Sequence, residues 1–176
     1  MSPKGDEIAR HVAQLLGSPV HLLGPGRGRA SEMVRAAYGA RAPIIGVCAA
    51  GLMIRLIGSD IGEKVDEPPV LAVSADGKIA VPLLGSHRGA NALARWIADM
   101  MRGTAAVTST SDTLYDFSLD DPPPGYAVAT PELVKPVMAA LLKGEKLKVD
   151  GPSGWLELAG YPVAEDGELT VVVSET

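Results

Sequence analysis

Pro82-Leu83-Leu84-Gly85-Ser86-His87-Arg88-Gly89-Ala90-Asn91-Ala92-Leu93-Ala94 is the stretch on which the reading of the fold turns. Its first half ends a run of strong strand character, Ile79-Ala80-Val81-Pro82-Leu83-Leu84. In its second half Ala90, Leu93 and Ala94 begin a helical spacing that continues through Ile97 and Met101 and stops at Gly103. A strand that turns through glycine into a helix is the repeating unit of an α/β layered fold. The corner also gathers Ser86, His87, Arg88 and Asn91. Corners of this kind face ligands, because the first N–H groups of a helix point outward and favour negative charge.

Working upstream, Ser74-Ala75-Asp76-Gly77 separates strand-like residues 70–73 from 78–84. An Asp-Gly pair in that setting signals a hairpin, so the sheet is not purely parallel. Residues 59–69 read as a polar loop, 49–57 as a helix and 43–47 as a buried strand. Cys48-Ala49-Ala50-Gly51 is therefore a second strand-to-helix corner. Residues 31–38 and 6–16 read as helices, the latter with Ile8, Val12, Leu15 and Leu16 on one face. Between them come Gly17-Ser18-Pro19, a short strand over 20–23 and Gly24-Pro25-Gly26-Arg27-Gly28. That loop reads as a plain turn, since its spacing is not G-x-G-x-x-G and Pro25 lacks an N–H.

Downstream, residues 105–108 read as a strand ending in a third, hydroxyl-rich corner, Thr108-Ser109-Thr110-Ser111-Asp112. The rigid, polar Pro122-Pro123-Pro124-Gly125 then marks a boundary. A helix over 131–142, a strand over 146–149, the segment 155–158 and a last strand over 169–173 follow, with Asp166-Gly167 as a turn. The expected fold is a layered α/β sandwich with a mixed, mostly parallel sheet and a β-hairpin, plus a small α+β C-terminal appendage. Residues 1–112 form the first domain and 113–176 the second.

Hydrophobic residues make up 47% of the chain, enough for a core, but aromatics only 4%, so that core is built from Ala, Val, Leu and Ile. A net charge of −5 without a basic block argues against nucleic acid as a partner. The one cysteine, Cys48, permits no intrachain disulfide and fits a reducing cytoplasm; its apolar neighbours make it a small core residue. The apolar run 42–54 is too short to span a bilayer, and the N-terminus carries no secretion-signal pattern. The cytoplasm is the expected location, with no membrane partner.

If the strands of the three corners are neighbours in one sheet, the corners meet at its carboxyl edge. That edge offers N–H groups, hydroxyls, two arginines and an imidazole, which suits a polyanionic small molecule. No metal-ligand spacing is present, because His11, His21 and His87 are scattered. The imidazole of His87 serves as a general base or hydrogen-bond donor, or merely orders its turn. Arg55 is a ligand contact or a surface ion pair, Asn91 a ligand contact or a cap, and Asp66 a site carboxylate or a turn residue.

Four segments resemble the N-terminal part of the CbiG family of cobalamin biosynthesis, the cobalt-precorrin-5A hydrolases. They are Ile45-Gly46-Val47-Cys48-Ala49-Ala50-Gly51 with Arg55, Asp66-Glu67-Pro68-Pro69-Val70, Leu83 to Ala94, and Val107-Thr108-Ser109-Thr110-Ser111-Asp112. Residues 119–126, 135–142 and 155–156 are similar to fusions in which a CbiG-like region precedes a CobJ-type precorrin-3B methyltransferase. The resemblance implies that residues 113–176 are a CbiG-middle-like or linker segment leading toward such a methyltransferase.

It further implies a precorrin or cobalt-precorrin substrate whose ring δ-lactone is opened with loss of a two-carbon unit as acetaldehyde. His87 is then the catalytic residue. Ala50, Gly51, Arg55, Asp66, Ser86, Arg88, Gly89, Asn91, Thr108, Thr110 and Asp112 bind substrate. Partners are a methyltransferase domain in cis or in trans and a second copy in a homodimer. The chain itself needs no cofactor; S-adenosylmethionine belongs only to a downstream methyltransferase domain. A non-catalytic tetrapyrrole-docking module is the alternative, and a generic anion-binding domain the plainest reading. The family opens with a strand before its first helix, and this chain begins almost at the helix, so an edge strand is expected to be absent.

Overall fold

The Asp76-Gly77 turn sets the direction of everything around it. In the computed structural model, Ser74 Oγ donates to Asp76 Oδ1 (2.6 Å) and the Lys78 N–H donates to the same oxygen (3.1 Å). Gly77 takes φ +72, as the turn requires. The turn joins strands β2 (Val70–Val73) and β3 (Ile79–Leu84) as an antiparallel pair. Strand β1 (Ile44–Val47) lies parallel to β2, and β4 (Thr104–Ala105) parallel to β3, giving the order β1-β2-β3-β4. Two of three pairings are parallel, so the sheet is mixed and mostly parallel. The structure describes residues 2–19, 21, 30–62, 66–110, 114–116, 118–120, 122–123, 125–152 and 154–174.

Helix α1 (Pro3–Leu15) starts at the Ser2 cap, whose Oγ accepts from the Gly5 N–H (3.2 Å). Helices α2 (Ala30–Gly39), α3 (Ala50–Ile57) and α4 (Ala90–Met101) complete the layers. Strand β2 is buried on both faces, and its alternation divides two cores. Leu71 and Val73 pack with Val12, Ala90, Ala94 and Ile97 of α1 and α4. Val70 and Ala72 pack with Val34, Tyr38, Met53 and Ile57 of α2 and α3. Gly46 leaves the room that Met53 fills, since a Cβ there would lie 2.5 Å from its sulfur.

The chain divides into two compact units, Met1–Val107 and Thr108–Thr176. In the second, α5 (Pro131–Leu141) and α6 (Gly154–Leu158) accompany a parallel pair, β5 (Leu147–Asp150) and β6 (Leu169–Val172). Its core gathers Leu141, Leu147, Leu156 and Ala159 around the stacked rings of Tyr115 and Tyr161, 4.0 Å apart. The α+β expectation for this part therefore stands. Most expected elements differ from the observed ones by one to three residues. The expected strand over 105–108 is instead the two residues of β4. Of the expected strand over 20–23 only His21 is described, in irregular backbone, and the loop 24–28 lies outside the described residues.

Candidate functional site

Chain reversal at the hairpin separates two of the corners expected to converge. Val47 pairs with Val73 and Val73 with Ala80, the start of β3; Leu84 pairs with Val70 and Val70 with Ile44. The corner after β1 and the corner after β3 thus sit at opposite ends of the sheet, roughly 10 Å apart along the strands. Ala50, Gly51 and Arg55 belong to the first end. Arg55 lies along its own helix, with Nη1 3.5 Å from the Gly51 carbonyl oxygen, and is exposed. Of the third corner, Thr108 and Thr110 are exposed and belong to the second unit, while Asp112 lies outside the described residues.

The other end, at the close of β3, is where charged side chains assemble. Gly85 has φ +76, and a Cβ there would lie 2.4 Å from the Pro68 carbonyl oxygen. Only glycine allows both the turn and this approach. The corner is thereby laid against the loop 66–69. Ser86–Arg88 form one 3-10 turn, closed by the Arg88 N–H donating to the Gly85 carbonyl (2.9 Å). Gly89, at φ +84, starts α4, and Asn91 in its first turn is buried. His87 and Arg88 are exposed.

Asp66, expected as a turn residue or a site carboxylate, connects two guanidiniums. Its Oδ1 lies 2.9 Å from Arg41 Nη2 and 3.9 Å from Arg88 Nη2. Arg41 was not among the expected site residues. It follows α2 with φ +56, the Arg41 N–H donating to the Tyr38 carbonyl and the Ala42 N–H to the Ala37 carbonyl. This is a helix end that usually takes glycine, and glycine is the signal the sequence lacks here.

Behind Asp66 opens a cavity of about 390 Å³ lined by the side chains of Arg35, Tyr38, Arg41, Asp60, Asp66 and Glu67. Arg35 Nε pairs with Asp60 Oδ2 (3.0 Å), and its Nη2 donates to Ser59 Oγ (2.8 Å). Glu67 is 7% exposed and Tyr38 9%. Burial pushes the Tyr38 phenol above its ordinary pKa; the Glu67 carboxylate adds to the rise, and a backbone hydrogen bond from Gly62 works against it. Among the described residues, three carboxylates and two guanidiniums leave the lining with one excess negative charge. Among the described residues no group of three or more His, Cys, Asp or Glu side chains is arranged to hold a metal.

Cys48, at the opposite end, is half-buried beside the α2–α3 core, and burial raises its thiol pKa. This is the setting of a core residue, as its apolar sequence neighbours indicate, and not of an activated thiol.

Residues 32–112 match the family model described as Cobalamin synthesis G N-terminal. Residues 32–112 are a CbiG-type N-terminal region. Every lining residue of the cavity, both corners of the first unit and the Asp66 bridge fall within this CbiG-type region. Two curated proteins named cobalt-precorrin-5A hydrolase are similar to the chain. One, from Salmonella typhimurium, is 28% identical over 54% of this chain and 28% of its own length. The other, from Priestia megaterium, is 26% identical over 86% of this chain and 38% of its own length. The chain thus spans well under half the length of these relatives. A solved cobalamin biosynthesis protein G homolog from Sulfolobus solfataricus is 19% identical, with a TM-score of 0.49 over 86% of this chain and 47% of that one. No helix among the described residues is long and apolar enough to cross a membrane.

Proposed function

We propose that the Gly85 end of the CbiG-type region binds a precorrin or cobalt-precorrin and takes part in opening its ring δ-lactone, with release of a two-carbon unit as acetaldehyde. The observation that supports this most is the Asp66 bridge. One carboxylate oxygen holds Arg41 and Arg88 within 4 Å. It orients two guanidiniums toward the acetate and propionate arms that such a macrocycle carries, a role for which their planar forks are suited. Arg41 thereby takes the place that the sequence reading gave to Arg55, which lies at the other end of the sheet.

His87, exposed on the turn beside Arg88, moves a proton during hydrolysis. Backbone N–H groups at the start of α4 stabilise the developing oxyanion. Ser86 and Gly89 shape the turn that presents these groups. Thr108, Thr110 and Asp112 remain proposed substrate contacts on the strength of the sequence motif alone. The expected downstream methyltransferase, with its S-adenosylmethionine, is likewise part of this reading and not of the chain's own site. So are the cytoplasmic location and a homodimeric state.

Anaerobic incubation of the chain with cobalt-precorrin-5A tests the reading. Acetaldehyde released at a catalytic rate, and lost in His87→Ala while substrate binding persists, is the expected result. A folded chain that binds the substrate and releases nothing supports the second reading, a docking module.

A further inference from the structure

The hairpin that directs the sheet turns on a chemically labile pair, Asp76-Gly77. Glycine has no Cβ to crowd its nitrogen, so an aspartate before glycine is open to attack by its own backbone. In that reaction the Gly77 nitrogen bonds to Asp76 Cγ, and a water made from the carboxyl hydroxyl and the amide proton leaves. The product is a five-membered succinimide. A water then adds at either ring carbonyl. Opening at the former α-carbonyl yields isoaspartate, in which the main chain runs through Cβ and Cγ and the α-carboxylate becomes the branch. The water lost is the water regained, so the mass is unchanged.

The first step has two requirements. The carboxyl must be protonated, so that water leaves, and the nitrogen must turn from its own hydrogen bond toward Cγ. The fold opposes both. Ser74 Oγ donates to Asp76 Oδ1 (2.6 Å), and the Lys78 N–H donates to the same oxygen (3.1 Å). These donors, the Ser74 hydroxyl foremost, hold the Asp76 carboxyl below its ordinary pKa. The Gly77 N–H donates to the Ser74 carbonyl (2.8 Å). Gly77 is buried, and a Cβ there would lie 2.5 Å from Met101 Cε and 3.2 Å from Ile8 Cδ1. Asp76 itself is exposed, so the carboxyl is protected by its bonds and not by burial. Ser74 is common to both restraints. Its hydroxyl holds the electrophile and its carbonyl the nucleophile, while its Oγ accepts from the Ile79 N–H (2.9 Å) at the start of β3. Reaction waits on local opening of this turn.

We propose that Asp76 is a site of isoaspartate modification, and that Ser74 is the lock that sets its rate. The modified turn carries an extra main-chain carbon between residues 76 and 77. The Gly77 N–H then no longer meets the Ser74 carbonyl, and the pairing of β2 with β3 loosens. That pairing also carries the Gly85 corner to its place beside the loop 66–69. The modification is independent of the hydrolase reading.

The test incubates wild type, Ser74→Ala, Ser74→Thr and Ile57→Val at mildly acidic pH, each below its melting temperature. Tryptic peptides of equal mass are then separated by chromatography. Isoaspartate at Asp76 is expected to accumulate about tenfold or more faster in Ser74→Ala than in wild type, the factor carried by one hydrogen bond to a charged group. Ser74→Thr, which keeps the hydroxyl, is expected to match wild type. So is Ile57→Val, which weakens the α2–α3 core away from the turn. The two other Asp-Gly pairs, Asp150-Gly151 and Asp166-Gly167, report in the same digests and are expected not to respond to Ser74→Ala. In urea, wild type and Ser74→Ala are expected to converge. Ser74→Ala at the wild-type rate overturns the lock. Equal acceleration by Ile57→Val and Ser74→Ala also overturns it, by assigning the protection to overall stability. Wild type in urea without isoaspartate at Asp76 overturns the site itself.

Discussion

The two strand-to-helix corners of the first unit look alike as sequence and differ as structure. Each joins a strand to a helix through small residues and glycine, and each has an arginine nearby. After β1, the corner enters α3 at Ala49 without a side-chain cap, its cysteine packs inward, and Arg55 lies on its own helix. After β3, glycine at positive φ presses the chain onto Pro68 and Pro69, and Asp66 draws in Arg41 and Arg88. The difference comes from what arrives beside each corner. The loop 66–69 leads into β2 at the end where β3 finishes, because the hairpin reverses the chain. The gathering of charged side chains follows the meeting of loops, not the local motif.

The largest expected contrast is between two glycine replacements. Gly85→Ala sets a Cβ against the Pro68 backbone at a φ that side chains avoid, and should cost about 2–4 kcal/mol in urea unfolding. Gly51→Ala meets nothing closer than 3.7 Å, in a helix; it should be neutral or stabilise by up to about 1 kcal/mol. Equal losses at both positions break the comparison.

A second contrast uses two arginines that end helices at positive φ, Arg41 at +56 and Arg102 at +50. Glycine at either position should raise stability by about 0.5–1 kcal/mol, because the strained conformation no longer involves a Cβ. Only Arg41→Gly should weaken binding of a polycarboxylate tetrapyrrole such as uroporphyrin, by about tenfold in a fluorescence titration, since Arg102 is not bridged to Asp66.

Smaller effects report on electrostatics at each end. The Cys48 thiol, raised by burial, should react with a disulfide reagent at pH 8 more slowly than free cysteine does; a faster rate contradicts its core assignment. Tyr38 should ionise above the ordinary range of a tyrosine phenol in an ultraviolet titration, and Glu67→Gln should lower that midpoint. Its raised pKa favours the neutral phenol in the folded state. The associated stability is therefore fully present below the unfolded value and is lost as pH rises through the folded one.

Much of this architecture was legible in the chain. Asp76-Gly77 announced the hairpin, and the spacing of Ala90, Leu93, Ala94, Ile97 and Met101 announced α4, because both signals are local. The convergence of corners was not legible. It depends on the direction of β1 relative to β3, which pairing decides and local spacing does not. Asp66 and Arg88 were candidates in the sequence, but Arg41, which pairs with the same Asp66 oxygen, was hidden at a helix end without glycine. Glu67 was concealed differently. A charged residue reads as exposed, and only its place before two buried prolines and a fully buried strand hinted otherwise.

The most direct measurement of the central claim is the affinity of Arg88→Ala and Arg55→Ala for cobalt-precorrin-5A, side by side with wild type. If the Gly85 end is the binding end, Arg88→Ala weakens binding by about tenfold, equivalent to about 1.4 kcal/mol, and Arg55→Ala leaves it unchanged. Weakening by Arg55→Ala with Arg88→Ala at wild-type affinity would place the site at the other end of the sheet and contradict the account.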